Sequence, residues 1–137
     1  MWALMHAFAT WSLVGLIWVV QLVIYPQFGA AGRAGFAAYH AGYTRRIAWI
    51  VGPLMLAEAA TAGMMFWQGE RAAWFLVSLG LLAINWLSTA LVQVPLHGKL
   101  EQEFAEDAWR ALVRTNWVRT VAWTARGGCV AFGLMRG

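Results

Sequence analysis

Residues 73–94 read AWFLVSLGLLAINWLSTALVQV, an apolar run without a single Asp, Glu, Lys or Arg. At about 1.5 Å of rise per residue it makes a helix of roughly 33 Å, enough to cross the hydrocarbon core of a bilayer. A surface helix of a soluble domain keeps a polar face for water, and this run has none. Pro95 follows and, lacking an N–H and clashing with the preceding turn, is expected to end the helix.

Three further stretches meet the same length criterion. One spans Trp2 to Tyr25 and meets Pro26. Another spans Ile47 to Trp67, entered through Arg45-Arg46 and expected to kink at Gly52-Pro53. The last is apolar from Trp117 to Met135, its helix beginning near Asp107. The sequence therefore predicts an all-α fold: one integral membrane domain over residues 1–137, a four-transmembrane-helix up-down-up-down bundle with helices at about 2–25, 47–67, 73–94 and 108–135. Gly69-Glu70-Arg71 reads as the tight turn of a helical hairpin. Gly29 to Thr44, with Phe36, Tyr39 and Tyr43 interleaved, reads as a short helix lying on the membrane surface, and His97 to Asp107 as a water-facing linker.

Composition agrees with lipid as solvent. The chain is 61% hydrophobic and 12% charged, about half the charge of a soluble domain. Of ten tryptophans, Trp2, Trp49, Trp67, Trp74 and Trp117 fall near segment ends, where an indole can face both acyl chains and headgroups. Trp11, Trp18, Trp86 and Trp123 lie deeper and read as packing residues. The net charge of +4 sits on particular loops, so it speaks of topology, and no nucleic-acid partner is expected. The first and third loops, with the start of the fourth helix, hold Arg33, Arg45, Arg46, Lys99, Arg110 and Arg114; the opposite side holds Arg71 and Arg136. This bias puts both termini outside, in a bacterial inner membrane. No cleavable signal is expected, because Tyr25-Pro26 lacks a small-residue cleavage pattern. The single Cys129 excludes an internal disulfide.

Polar residues within the spans carry the most information, because each is costly in hydrocarbon. Counting along the helices puts Glu58, Asn85 and Arg126 each roughly 16–18 Å deep, a midplane cluster in which opposite charges are expected to pair. Around Glu58, residues 57–63 read AEAATAG, small enough for close helix approach or homo-oligomer contact. A second polar group gathers toward the cytoplasmic end: Gln21, Tyr25, Arg46, Gln93, His97, Asn116 and Arg119. Asn116, Arg119, Trp123 and Arg126 share one face of the fourth helix, a polar stripe that belongs inside a bundle. Interfacial snorkelling accounts for Arg46 and Arg119 equally well. Of the three histidines, His6 lies near the outer side while His40 and His97 can meet. Met5, His6, Met64, Met65 and Cys129 include soft ligands suited to Cu(I), though methionine in an apolar helix is ordinarily filler. The sequence predicts no metal site and names no cofactor.

The segments Gln93-Val94-Pro95-Leu96-His97 and Thr115-Asn116-Trp117-Val118-Arg119-Thr120 resemble motifs of small four-helix membrane proteins grouped, as a domain of unknown function, with the anthrone oxygenases. That family tends to show V-P-L-polar closing the third helix and a W-x-N-x-V-R-T-like motif opening the fourth; here Trp117 follows Asn116 directly. A bacterial subset has His-Tyr-Pro closing the first helix and a histidine in the first loop, where this chain has Ile24 before Tyr25-Pro26, and Tyr43. Any metal bound by those histidines has no counterpart here. The resemblance carries over Pro95, His97, Asn116 and Arg119 as a candidate pocket, with Tyr25 and Gln93 beside it.

Three functions stay open. The chain binds or oxidises a hydrophobic small molecule in an intramembrane pocket, through His97, Asn116, Arg119 and Tyr25. Alternatively it is a structural or accessory subunit of a larger membrane complex, or a proton-coupled transporter or channel built on Glu58 and Arg126.

Overall fold

The computed structural model describes residues 1–31 and 33–136. The described residues form four long helices and no strand: α1 (Trp2–Phe28), α2 (Phe36–Trp67), α3 (Ala73–Gln102) and α4 (Glu106–Arg136). The first three are long and apolar enough to cross a membrane. Length is not what sets α4 apart, since it has 31 residues. Its apolar stretch contains Arg119 and Arg126, and both are enclosed by the other helices.

Two of the expected helix ends are passed by. Pro26 and Pro95 stop neither α1 nor α3, because each is preceded by one widened π-turn, Val20–Ile24 and Thr89–Gln93. A proline clashes with the carbonyl four residues back, here that of Leu22 or Leu91, and each lies in such a turn. The extra residue per turn gives the ring room. At Pro53, α2 stays α-helical throughout.

Among the described residues of the first connection, no separate surface helix forms. The segment from Phe36 continues directly into α2, opened by Gly35 at φ +82°. Phe36, His40 and Tyr43 recur at i, i+4, i+7 and lay one face against Phe28, while Phe36 also meets Phe104. Burying that face draws the segment onto the bundle. The expected linker from His97 shrinks likewise, because α3 runs on to Gln102.

The α2–α3 turn is a Schellman motif. Glu70 N–H donates to Met65 O and Gly69 N–H to Phe66 O, with Gly69 in the left-handed region at φ +93°. Met1, Trp2 and Gly69 border one open hollow, and Glu70, Trp74 and Arg136 another. We call this the turn end. The other two connections meet through Phe28, Phe36 and Phe104 at the loop end.

Packing centres on α1 and α4. The most apolar windows of α1, α2 and α3 are 44%, 22% and 17% buried, so α2 and α3 face mostly outward. Small residues permit the central contacts. A Cβ on Gly127 would lie 3.2 Å from Val14, one on Gly133 2.6 Å from Trp74, and one on Gly29 2.4 Å from Trp109. The exterior carries Leu4, Phe8, Leu56, Leu87, Leu91 and Val121 exposed, with Trp49 and Trp67 about four-fifths exposed or more (79% and 86%). So continuous an apolar surface suits lipid and not water.

Candidate functional site

Two polar groups occupy the bundle interior, one toward each end. At the turn end, α4 directs Arg126 inward, where it is fully buried. Its Nε donates to Glu58 Oε1 at 2.7 Å. One Nη donates to the carbonyl and, at 2.9 Å, to the hydroxyl of Ser78; the other lies 3.0 Å from His6 Nε2. A guanidinium can only donate, so His6 Nε2 accepts and Nδ1 carries the ring proton, aimed at Thr61 Oγ1 2.9 Å away. The Thr61 hydroxyl donates to Ala57 O, and Glu58 Oε2 accepts from Trp123 Nε1 at 3.2 Å. The charges balance and the carboxylate is held on both oxygens, as a buried pair requires.

Asn85 is not in this group. It is fully buried, and neither amide atom has a partner. The helix α3 meets Arg126 through Ser78, about 10 Å along the axis from Asn85. Counting depth from segment ends treats the helices as starting level, and the long Arg126 side chain spans the offset. His6, Ser78 and Thr61 complete the cluster instead. Serving Arg126 and Thr61, His6 is engaged in this network and not in the copper grouping.

At the loop end, α1 contributes Gln21 and Tyr25, α3 Gln93 and His97, and α4 Asn116, Arg119 and Thr120. Gln21 Oε1 accepts from Asn116 Nδ2 at 2.9 Å and Thr120 Oγ1 at 3.2 Å, and Gln21 Nε2 donates to Val113 O. Asn116 Oδ1 accepts from an Arg119 Nη at 3.1 Å. Gln93 donates to Thr115 Oγ1 and accepts from the Tyr25 hydroxyl at 3.4 Å. That hydroxyl lies 2.8 Å from His97 Nε2, and His97 Nδ1 lies 2.9 Å from His40 Nε2, a chain of three proton-carrying groups. Tyr25 is held in place by α4: Trp109 Nε1 donates to its carbonyl at 2.8 Å, which Gly29 allows by leaving room for the indole.

This second group is incomplete. Arg119 is 6% exposed, and its Nε has no partner. No carboxylate among the described residues pairs with it; its guanidinium lies 5.0 Å over the Trp123 ring. His40 Nδ1 is likewise buried without a partner. Beside these groups a cavity of about 360 Å³ opens between α1, α2 and α3. Leu13, Ile17, Val20, Ile47 and Val51 form apolar wall, and Tyr25, Tyr43, Gln93, His97 and Arg119 the polar part. Exposed Ala48, Val94, Gly98 and Glu101 lie at its mouth between α2 and α3, where Thr44 Oγ1 donates to Glu101 at 2.9 Å.

No family model, curated protein or solved structure matches the chain.

Among the residues singled out from sequence, His97, Arg119, Tyr25 and Gln93 line this cavity. Asn116 stands behind it, fully buried, steadying Arg119. Arg46 is exposed and borders a separate groove on α2. The expected meeting of His40 with His97 is present at 2.9 Å; the sequence reading missed Tyr43 as a wall residue, and its i, i+3 spacing from His40 was the available signal. Trp123, read as packing, also bonds Glu58 and underlies Arg119, so it joins the two groups. The described residues hold no group of three or more His, Cys, Asp or Glu placed to bind a metal.

Proposed function

We propose that this chain is a four-span integral membrane protein, up-down-up-down with both termini outside the bacterial inner membrane, that binds a hydrophobic small molecule in the cavity at its loop end. The six-to-two bias of basic residues supports the orientation, placing the loop end and its cavity in the cytoplasmic half. The lipid-facing exterior of α2 and α3 supports the membrane setting. For the binding role, one observation carries the reading: an apolar cavity of about 360 Å³ with Tyr25, His97 and Arg119 converging on its wall. Ligand pockets have this character, mostly apolar with a few convergent polar groups. Its mouth lies between α2 and α3, so a lipid-soluble molecule enters from the bilayer.

The chemistry available is proton transfer. With the Tyr25 hydroxyl turned from Gln93 to His97 and His97 protonated on Nδ1, a proton arriving at the Tyr25 oxygen displaces the hydroxyl proton to His97 Nε2 and the Nδ1 proton to His40 Nε2, along contacts of 2.8 and 2.9 Å. An oxidation, which the resemblance to the anthrone oxygenases implies, requires dioxygen as co-reactant; the chain's own part is to position the substrate and take that proton.

Native mass spectrometry tests the binding. Protein purified in mild detergent should carry a hydrophobic adduct of defined mass, and Val51→Trp, which fills the cavity wall, should lose it while keeping the wild-type unfolding temperature. Protein free of adduct, or an adduct indifferent to Val51→Trp, contradicts the reading.

A further inference from the structure

The cavity wall carries a charge that no carboxylate among the described residues answers. Arg119 is 94% buried, taking its 6% exposure from the whole, and its Nε donates to nothing. Its polar neighbour Asn116 neutralises no charge, and the Trp123 ring offers a face 5.0 Å away. The contrast with Arg126 is direct. That guanidinium, on the same helix and at least as buried, has a carboxylate at 2.7 Å and a partner for each nitrogen. Leaving a guanidinium desolvated without a counter-charge is costly, and here its unused donor belongs to a residue on the cavity wall.

We infer that the ligand is an apolar molecule bearing a carboxylate, with its head on Arg119 and its body along Leu13, Ile17 and Val51. This rests on the binding role proposed above and names the class of molecule bound. The planar fork of a guanidinium matches a carboxylate's two oxygens. Tyr25 and Gln93, on the same wall, supply further polar contacts for the head. At about 360 Å³ the space is at the small end for ligand pockets. It holds a short acid whole, or the head of a longer one whose tail leaves between α2 and α3. The wall's own carboxylate, Glu101, is exposed at the mouth and engaged by Thr44, so it does not take the place on Arg119.

Equilibrium dialysis of the full chain in phosphatidylcholine nanodiscs, corrected against empty nanodiscs, tests this with decanoate, decanol and decyl phosphate. Decanoate should bind about tenfold or more tightly than decanol, the worth of a charge-assisted contact in a dry site. Arg119→Gln should reduce decanoate binding to the level of decanol, with a helical circular dichroism spectrum matching wild type to show that the variant folds. Arg119→Lys should keep part of the preference. Equal binding of decanoate and decanol to the wild type overturns the carboxylate assignment and leaves the binding role standing. Tighter binding of decyl phosphate than decanoate also overturns it, in favour of a phosphate head. Failure of all three probes to bind overturns both the assignment and the binding role.

Discussion

The turn-end and loop-end polar groups each centre on a buried arginine of α4, yet they differ in closure. Around Arg126, the carboxylate of Glu58 balances the guanidinium, and Ser78, His6, Thr61 and Trp123 satisfy the remainder. Around Arg119, a charge lacks a counter-ion, a histidine nitrogen lacks a partner, and a cavity adjoins them. A polar network with every valence used fixes how helices meet; one left open has capacity for another molecule. Glu58 and Arg126, the more conspicuous pair in sequence, thus hold the bundle together, while the less conspicuous Arg119 marks the site. The same closure counts against a transporter resting on the Glu58–Arg126 pair.

The largest expected effect concerns where the two groups sit. In a Cys129→Ala background, a cysteine at Gly69 should react fully with a thiol reagent confined outside intact cells, and one at Gly98 not at all. The reverse pattern would exchange the leaflets of the two groups and overturn the topology.

Next comes the closure of the turn-end group. Glu58→Gln alone strands the Arg126 charge and should cost about 3–5 kcal/mol, read as a large fall in the unfolding temperature in detergent. Adding Arg126→Met should recover part of that loss. Strict additivity of the two single changes would show that the residues do not pair.

A smaller effect is expected where packing supports the open group. Gly29→Ala puts a methyl where the Trp109 indole lies and should cost about 1–3 kcal/mol by overpacking. Because Trp109 bonds the Tyr25 carbonyl, decanoate binding should weaken as well. Unchanged stability would mean that Trp109 moves freely, and the support assigned to it would fail.

Much of this architecture was legible in the sequence, and the exceptions share a physical origin. The runs 2–25 and 73–94 announce α1 and α3 because hydrophobicity alone selects long apolar helices. The ends were misplaced because Pro26 and Pro95 are absorbed by π-turns, which composition does not reveal. The early start of α2 was hidden because Phe36, His40 and Tyr43 lie among glycines and alanines; their helical spacing gains meaning only when Phe28 and Phe104 arrive to cover them. Within the site, the face shared by Asn116, Arg119, Trp123 and Arg126 followed from helical periodicity, and all four are buried. The pairing of Glu58 with Arg126 followed from their matched depth, and the structure shows it. What did not follow is the placement of α3 along its axis, which puts Ser78 beside Arg126 where depth counting had placed Asn85.

The central claim, that one arginine holds the fold and the other awaits a ligand, is tested most directly by thermal unfolding of ligand-free Arg126→Gln and Arg119→Gln in the same detergent. Arg126→Gln leaves the Glu58 carboxylate buried without its counter-charge and should lower the unfolding temperature strongly, by an amount corresponding to about 3–5 kcal/mol. Arg119→Gln removes a charge that has no counter-ion to strand, and should leave the temperature within error of wild type or raise it. Equal losses from the two substitutions would contradict the account, because both arginines would then be parts of the scaffold.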